Sequence, residues 1–252
     1  MIVIPMAGLS TRFKNAGYEK PKYMLPVNNK TLFEYSVLSF QKYFCTESFL
    51  FISLDIQSTG KFIEAKCKQL GIAKYQIITL DRPTKGQAET VYLGLKEALV
   101  PYKEKLVIFN IDTFRPNYSM PDIFTNCEIS GYIETFKGAG KNWSNVVPVS
   151  EKSDKVQYTA EKKELSEFCC TRIYAWTEAG EFCEIYEKYS RLSLDVVDGG
   201  EYYIAPMYNE SIKSGKDIRY TVIDRDSVIF CGVPDEYINL IDSLDLLEAY
   251  NY

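Results

Sequence analysis

Four short runs of β-branched, aromatic and aliphatic residues, spaced by longer amphipathic stretches, constrain this chain more than any other feature. Ile2–Met6, Phe49–Leu54, Gln76–Leu80 and Leu106–Ile111 have the length and near-continuous apolar character of strands covered on both faces. Between them the pattern predicts helices over Thr31–Phe44, Thr59–Leu70 and Gln87–Leu99. The first opens with a Thr31-x-x-Glu34 capping box, the second stops at Gly71 and the third stops ahead of Pro101. The resulting order, β-α-β-α-β-α-β, is that of a mainly parallel sheet flanked by helices.

After Asp112 the rhythm changes. Ile129–Phe136, Val146–Val149, Val156–Thr159 and Cys170–Trp176 read as strands of a mixed or antiparallel extension, with a Gly/Lys/Asn turn at Gly138–Asn142. Helices are expected over Thr177–Tyr189, about Tyr202–Ser214 and Pro234–Tyr250, with short strands at Tyr220–Ile223 and Val228–Cys231. No repeat or linker divides the 252 residues, which suffice to close one core, so a single domain is expected over 1–252.

Composition removes whole classes of chemistry. The chain contains no histidine, which excludes Ser-His-Asp and Cys-His nucleophile systems and any His-bearing zinc site. Seven cysteines form no C-x-x-C pair and read as reduced, mostly buried thiols. A formal net charge of −5 gives no footprint for nucleic acid. The N-terminus lacks a basic region and no apolar run is long enough to span a bilayer, so no membrane insertion and a cytoplasmic protein are expected. Any reaction must then use carboxylates, Lys, Arg, hydroxyls, thiols or a metal held by oxygen.

In an open parallel sheet, ligands bind outside the carboxyl ends of the strands, so the residues following each run matter most. After the first strand comes Ala7-Gly8-Leu9-Ser10-Thr11-Arg12-Phe13. Small residues let backbone N–H groups approach phosphate oxygens, and Arg12 adds a charged fork for them; a plain β-to-α turn reads equally well. Next, Pro21 and Pro26 stiffen the backbone around Lys22, presenting its ammonium from an extended segment or leaving it as a solvated charge. Gly86 and Gln87 open the third helix, as a recognition turn or as an ordinary helix start. Asp112 follows the fourth strand, where a carboxylate either serves a hard divalent ion or caps the next loop.

The pair Met6-Ala7-Gly8-x-Ser10-Thr11-Arg12-Phe13 and Pro21-Lys22-x-x-Leu25-Pro26-Val27 resembles the nucleotidylyltransferases that make nucleotide-sugars and related nucleotide diphosphate compounds. Ser10 stands where that family commonly has its second glycine. The resemblance implies a Rossmann-like α/β fold of the nucleotide-diphospho-sugar transferase type, with nucleotide binding in about 1–115 and acceptor binding in about 116–252. It implies that the loop Ala7, Gly8, Leu9, Ser10 and Thr11 wraps a nucleoside triphosphate, that Arg12 steadies the β,γ-phosphates and that Lys22 contacts the α-phosphate. Gly86 and Gln87 would read the base, and Asp112 would hold Mg²⁺.

The later half resembles the family more loosely. Glu161 and Lys162 match a Glu-Lys element that contacts the acceptor, and Thr171 is read as replacing the glycine of a Gly-x-Tyr strand ending at Tyr174. The segment Gly199–Pro206 would bring a second metal acid, expected to be Glu201 with Asp198 behind it. At Gly232-Val233-Pro234-Asp235 the acid often found two residues before the glycine is replaced by Phe230. The implied activity is transfer of a nucleotidyl group from a nucleoside triphosphate to a phosphorylated small acceptor, with release of pyrophosphate; oligomerisation is left open.

In overall look the chain resembles the cytidylyltransferase branch of that family, which joins a CTP-derived nucleotide to phosphorylated glutamine in capsule biosynthesis. The runner-up is a hexose-1-phosphate nucleotidylyltransferase using UTP, CTP or another triphosphate. A metal-dependent glycosyltransferase fits less well, because Asp112-Thr113-Phe114 breaks the Asp-x-Asp pattern. A non-catalytic nucleotide-binding regulator fits less well because Arg12, Lys22 and Asp112 are present together.

Overall fold

The structure, a computed structural model, describes residues 1–126, 128–243 and 247. The N-terminal half begins with β1 (Ile2–Met6), α1 (Thr11–Asn15) and a small hairpin, β2 (Pro26–Val27) and β3 (Lys30–Thr31). It continues through α2 (Leu32–Leu38), β4 (Ser48–Leu54), α3 (Thr59–Leu70), β5 (Lys74–Leu80), α4 (Gln87–Glu97) and β6 (Leu106–Phe109). Then follow β7 (Thr113–Phe114), α5 (Asp122–Asn126), β8 (Gly131–Lys137), β9 (Ser144–Pro148), β10 (Val156–Glu161) and β11 (Phe168–Trp176). The chain closes with α6 (Ala179–Tyr189), α7 (Tyr208–Lys213), β12 (Ile218–Ile223), β13 (Ile229–Phe230) and α8 (Pro234–Asp242).

One nine-stranded sheet carries both halves. Its main path runs β10-β9-β11-β6-β1-β4-β5, with β8 pairing both β11 and β12. The β6-β1-β4-β5 portion is parallel, whereas β11 runs antiparallel to β6 and to β8. This is the α/β architecture expected: a central, largely parallel sheet flanked by helices, extended by mixed strands.

Side-chain alternation explains the layering. Ile2, Ile4, Phe49, Phe51, Val107 and Phe109 face Phe33, Phe40 and Ile63 of the α2–α3 side. Val3, Leu50, Ile52 and Ile108 face Val91, Leu95 and Phe182 of the α4–α6 side. A strand buried on both faces needs apolar residues at every position, which is why β1 and β6 read as continuous runs. The outermost strand β5 departs from that expectation: Lys74, Gln76 and Thr79 are exposed at the sheet edge, while Tyr75 and Ile77 pack into one core layer and Ile78 and Leu80 into the other.

Several expected boundaries shift for local reasons. The capping box at Thr31 forms, with the Glu34 N–H donating to Thr31 Oγ1 and Thr31 N–H donating to Glu34 Oε2. The helix it starts ends at Leu38 rather than Phe44, giving way to a 3₁₀ turn at Gln41–Tyr43 that follows buried Phe40. The expected helix over about Tyr202–Ser214 is confined to Tyr208–Lys213, preceded by a 3₁₀ turn over Ala205–Met207, because Pro206 supplies no N–H. The last helix is seen over Pro234–Asp242; of the remainder expected to Tyr250, most lies outside the described residues.

Six described cysteines are free thiols, four of them buried; Cys127 lies outside the described residues. Among the described residues, no helix is long and apolar enough to cross a membrane.

Candidate active site

The end of β6 gathers residues from four parts of the chain. Asp112 sits between β6 and β7, and its carbonyl accepts from the Cys231 N–H at 2.8 Å, beside the antiparallel pair of β7 with β13. Its carboxylate is shared by two cations. Lys22 Nζ donates to Oδ2 at 2.6 Å and Arg172 NH1 donates to Oδ1 at 2.7 Å. Burial alone would push the Asp112 carboxyl up, but Arg172 and Lys22 overcome it and hold the group well below the usual carboxylate range.

Each cation is delivered by a recognisable backbone device. Pro21 caps a 3₁₀ turn over Lys22–Met24, and the Lys22 N–H donates to Ser10 Oγ at 3.2 Å, which ties the loop after β1 to the lysine segment. Ser10 takes a left-handed conformation, φ 53°, and thereby turns the chain into α1. Around it, Gly8, Leu9, Thr11 and Arg12 are exposed on the loop, while Ala7 is buried at its root.

Arg172 is the residue sequence reasoning missed. It lies in β11 at φ 74°, a conformation rare for a non-glycine residue, where the pairing with β8 shifts register between Cys170 and Tyr174. Such a bulge re-aims a side chain, here towards Asp112. The expected glycine replacement at Thr171 is corrected by this backbone: the left-handed position is Arg172, two residues before Tyr174 and therefore in the Gly-x-Tyr spacing itself. The guanidinium lies 5.2 Å from the Phe230 ring centroid and 6.0 Å from that of Trp143. A signal existed in the sequence, because a lone arginine inside an apolar strand must find a partner.

Gly232 closes the cluster from the β13 side. A Cβ there would lie 3.0 Å from Asp112 Oδ2 and 3.3 Å from Arg172 NH1, so any larger residue would push on the ion pair by a few tenths of an ångström. Glu236, whose carboxylate accepts the N–H of Gly232 at 2.6 Å and of Val233 at 3.2 Å, adds a negative charge to the field at Arg172.

The turn before α4 is clamped to the C-terminal half. Gly86, φ 142°, lies against the Tyr202 backbone; the Tyr202 N–H donates to the Lys85 carbonyl at 2.9 Å and the Ala88 N–H to the Tyr202 carbonyl at 2.8 Å. Gln87 Nε2 hydrogen-bonds Asn110 Oδ1, placing the turn two residues from Asp112 in the β6–β7 connection.

Glu161 and Lys162 form a second group. Glu161 is buried, hydrogen-bonded by Ser144, and burial raises its carboxyl above the ordinary value. Lys162 Nζ donates to Tyr203 Oη at 2.6 Å, and Gly199 packs onto both side chains. Glu201 is exposed near Lys162, and Asp198 is engaged by Lys163 at 2.5 Å. Among the described residues, no group of three His, Cys, Asp or Glu side chains suited to a metal ion is assembled, so Asp112 and Glu201 do not belong to such a group.

A carboxylate flanked by Lys and Arg thus lies beside an exposed small-residue loop at the carboxyl end of a parallel sheet, the end at which such sheets generally bind ligands. Comparison gives the class of protein. The nucleoside-diphosphate-sugar pyrophosphorylase from Vibrio cholerae RC9 is 47% identical, covers 96% of this chain and 100% of its own, and superposes with a TM-score of 0.91. The chain therefore belongs to the nucleoside-diphosphate-sugar pyrophosphorylase family of nucleotidylyltransferases.

More distant solved structures share the fold. A UDP-glucose pyrophosphorylase complexed with UDP-glucose is 16% identical over 97% of both chains, TM-score 0.73. The inositol-1-phosphate CTP transferase from T. maritima is 14% identical over 97% of this chain and 95% of its own, TM-score 0.72. No family model and no curated protein matches.

Proposed function

We propose that the enzyme transfers a cytidylyl group from CTP to a phosphorylated small acceptor, L-glutamine phosphate, with Mg²⁺ and release of pyrophosphate, in capsule or surface-polysaccharide biosynthesis in the cytoplasm. The observation that carries this reading is the convergence of Lys22, Asp112 and Arg172 beside the loop Ala7–Thr11. In the reaction, an acceptor phosphate oxygen attacks the α-phosphorus while the bond to the β-phosphate oxygen breaks. An ionised phosphate needs no general base, in keeping with the lack of histidine.

Lys22 is assigned to the α-phosphate, Arg12 to the β,γ-phosphates, Gly86 and Gln87 to the base, and Glu161 and Lys162 to the acceptor. The donor set suits Mg²⁺, which uses one or two carboxylates and completes its shell with phosphates and water; Asp112 would hold it, with Glu201 as second candidate. When bound, the ion neutralises charge on the transferring phosphate.

A second reading, a hexose-1-phosphate nucleotidylyltransferase, is favoured by the description of the 47% identical relative as a nucleoside-diphosphate-sugar pyrophosphorylase. Pyrophosphate release from each of four triphosphates, with Mg²⁺ and a panel of phospho-sugars and phospho-amines, separates them. Turnover with CTP and phosphoglutamine is expected. Hexose-1-phosphate turnover alone selects the second reading. Lys22→Ala and Asp112→Ala should each lower the rate on the order of 10²-fold or more.

A further inference from the structure

Arg172 and Lys22 differ in how firmly they are held. Lys22 reaches Asp112 Oδ2 on a flexible four-carbon stem. Arg172 comes from inside a sheet strand, is fixed by a left-handed bulge, and lies near the Phe230 and Trp143 rings. One carboxylate thus serves two cations, one on a flexible stem from a loop and one from a bulged sheet strand, and Gly232 passes against both Oδ2 and Arg172 NH1.

We propose that Arg172 is a positioning residue that keeps Asp112 Oδ1 permanently engaged, so that Asp112 can offer a divalent cation only Oδ2, and only after phosphate groups of the nucleotide have drawn Lys22 away. This rests on the reading of Asp112 as a metal-holding carboxylate. The two flanking cations repel a divalent ion in the nucleotide-free enzyme. A triphosphate brings the negative charge that releases Lys22, and Arg172, anchored by its bulge, stays. Cation binding is thereby made to follow nucleotide binding.

The test is direct titration of the nucleotide-free enzyme with Mn²⁺, followed by electron paramagnetic resonance of the free ion. Arg172→Gly suits the left-handed backbone and removes the guanidinium; Arg172→Asn, also tolerant of that conformation, is a second route should the first fail to fold. Both should bind Mn²⁺ on the order of tenfold more tightly than the natural enzyme. Arg172→Lys, which retains the charge, should stay near the natural affinity. Adding Asp112→Asn to Arg172→Gly should abolish the gain.

Unchanged Mn²⁺ affinity in both charge-removing variants, or a gain that survives loss of Asp112, overturns the proposal. Failure of the underlying reading appears elsewhere, as full pyrophosphate-releasing turnover by Asp112→Asn.

Discussion

Replacing Gly86 by alanine tests whether the turn before α4 and the Tyr202 segment act as one unit. The added Cβ would lie 2.6 Å from both the Tyr202 nitrogen and oxygen, and these are backbone atoms that no rotamer change can move aside. The φ of 142° adds strain for any residue with a Cβ. If the two segments of the clamp separate, the bonds between Tyr202 N–H and Lys85 carbonyl and between Ala88 N–H and Tyr202 carbonyl are lost, each worth about 0.5–1.5 kcal/mol. Strain and overpacking add about 1–3 kcal/mol.

The expected total is about 2–6 kcal/mol, or roughly 4–24 °C in Tm for a chain of this size. Differential scanning calorimetry reads the stability. Steady-state kinetics should show KM raised for both triphosphate and acceptor, since Gly86 contacts one half and Tyr202 belongs to the other. A midpoint within 1 °C of the natural protein, with both KM values unchanged, would refute the clamp.

A contrasting variant is Gly8→Ala, whose Cβ would meet nothing within 4 Å: stability should hold to about 0.5 kcal/mol by calorimetry, while KM for the triphosphate rises if nucleotide approaches this backbone. Arg115 holds the buried Glu134 through two contacts of 3.0 and 3.3 Å, so Arg115→Met should cost about 3–5 kcal/mol in urea unfolding. The double variant with Glu134→Leu should recover most of that loss. Glu161 has its carboxyl raised by burial, so its contribution to stability is present in acid and lost as pH rises through that raised value. The gain in Tm of Glu161→Gln over the natural protein should therefore grow from pH 4 towards neutrality; a flat difference would contradict it. Asp112 has the opposite sign: its contribution should persist above the ordinary aspartate value and fall away only in strong acid, a limb absent from Asp112→Asn melts.

Local chemistry made parts of the fold legible. β1 and α3 fall where apolar runs and Gly71 place them, and the Thr31–Glu34 box marks a helix start because both partners lie within one turn. What local chemistry does not carry was missed or misplaced. The end of α2 depends on Phe40 seating against Phe49, Phe109 and Tyr118. The 3₁₀ turn over Ala205–Met207 leads into a network in which Asn209 bonds Thr159 of β10.

The site divides in the same way. The loop after β1 and the proline-framed Lys22 stand out in sequence because each is a compact motif. Arg172 does not, since its role depends on a register shift between two strands, and that shift puts the left-handed position on Arg172 instead of on Thr171. The Gly86–Tyr202 clamp joins segments far apart in the chain, and nothing in either segment alone announces its partner.

The order of strands has a consequence for how the chain is made. β6 is paired on one side by β1, from the same half, and on the other by β11, which the ribosome supplies only when Trp176 has been added. Until then the emerging four-stranded parallel sheet carries a bare apolar edge, the kind of surface that invites mispairing with other chains. The strand that shields this edge is the one that carries Arg172. Completion of the sheet and delivery of the arginine to Asp112 are therefore the same event in biosynthesis: a chain stopped short of β11 lacks both its protected edge and one of the two cations that hold Asp112.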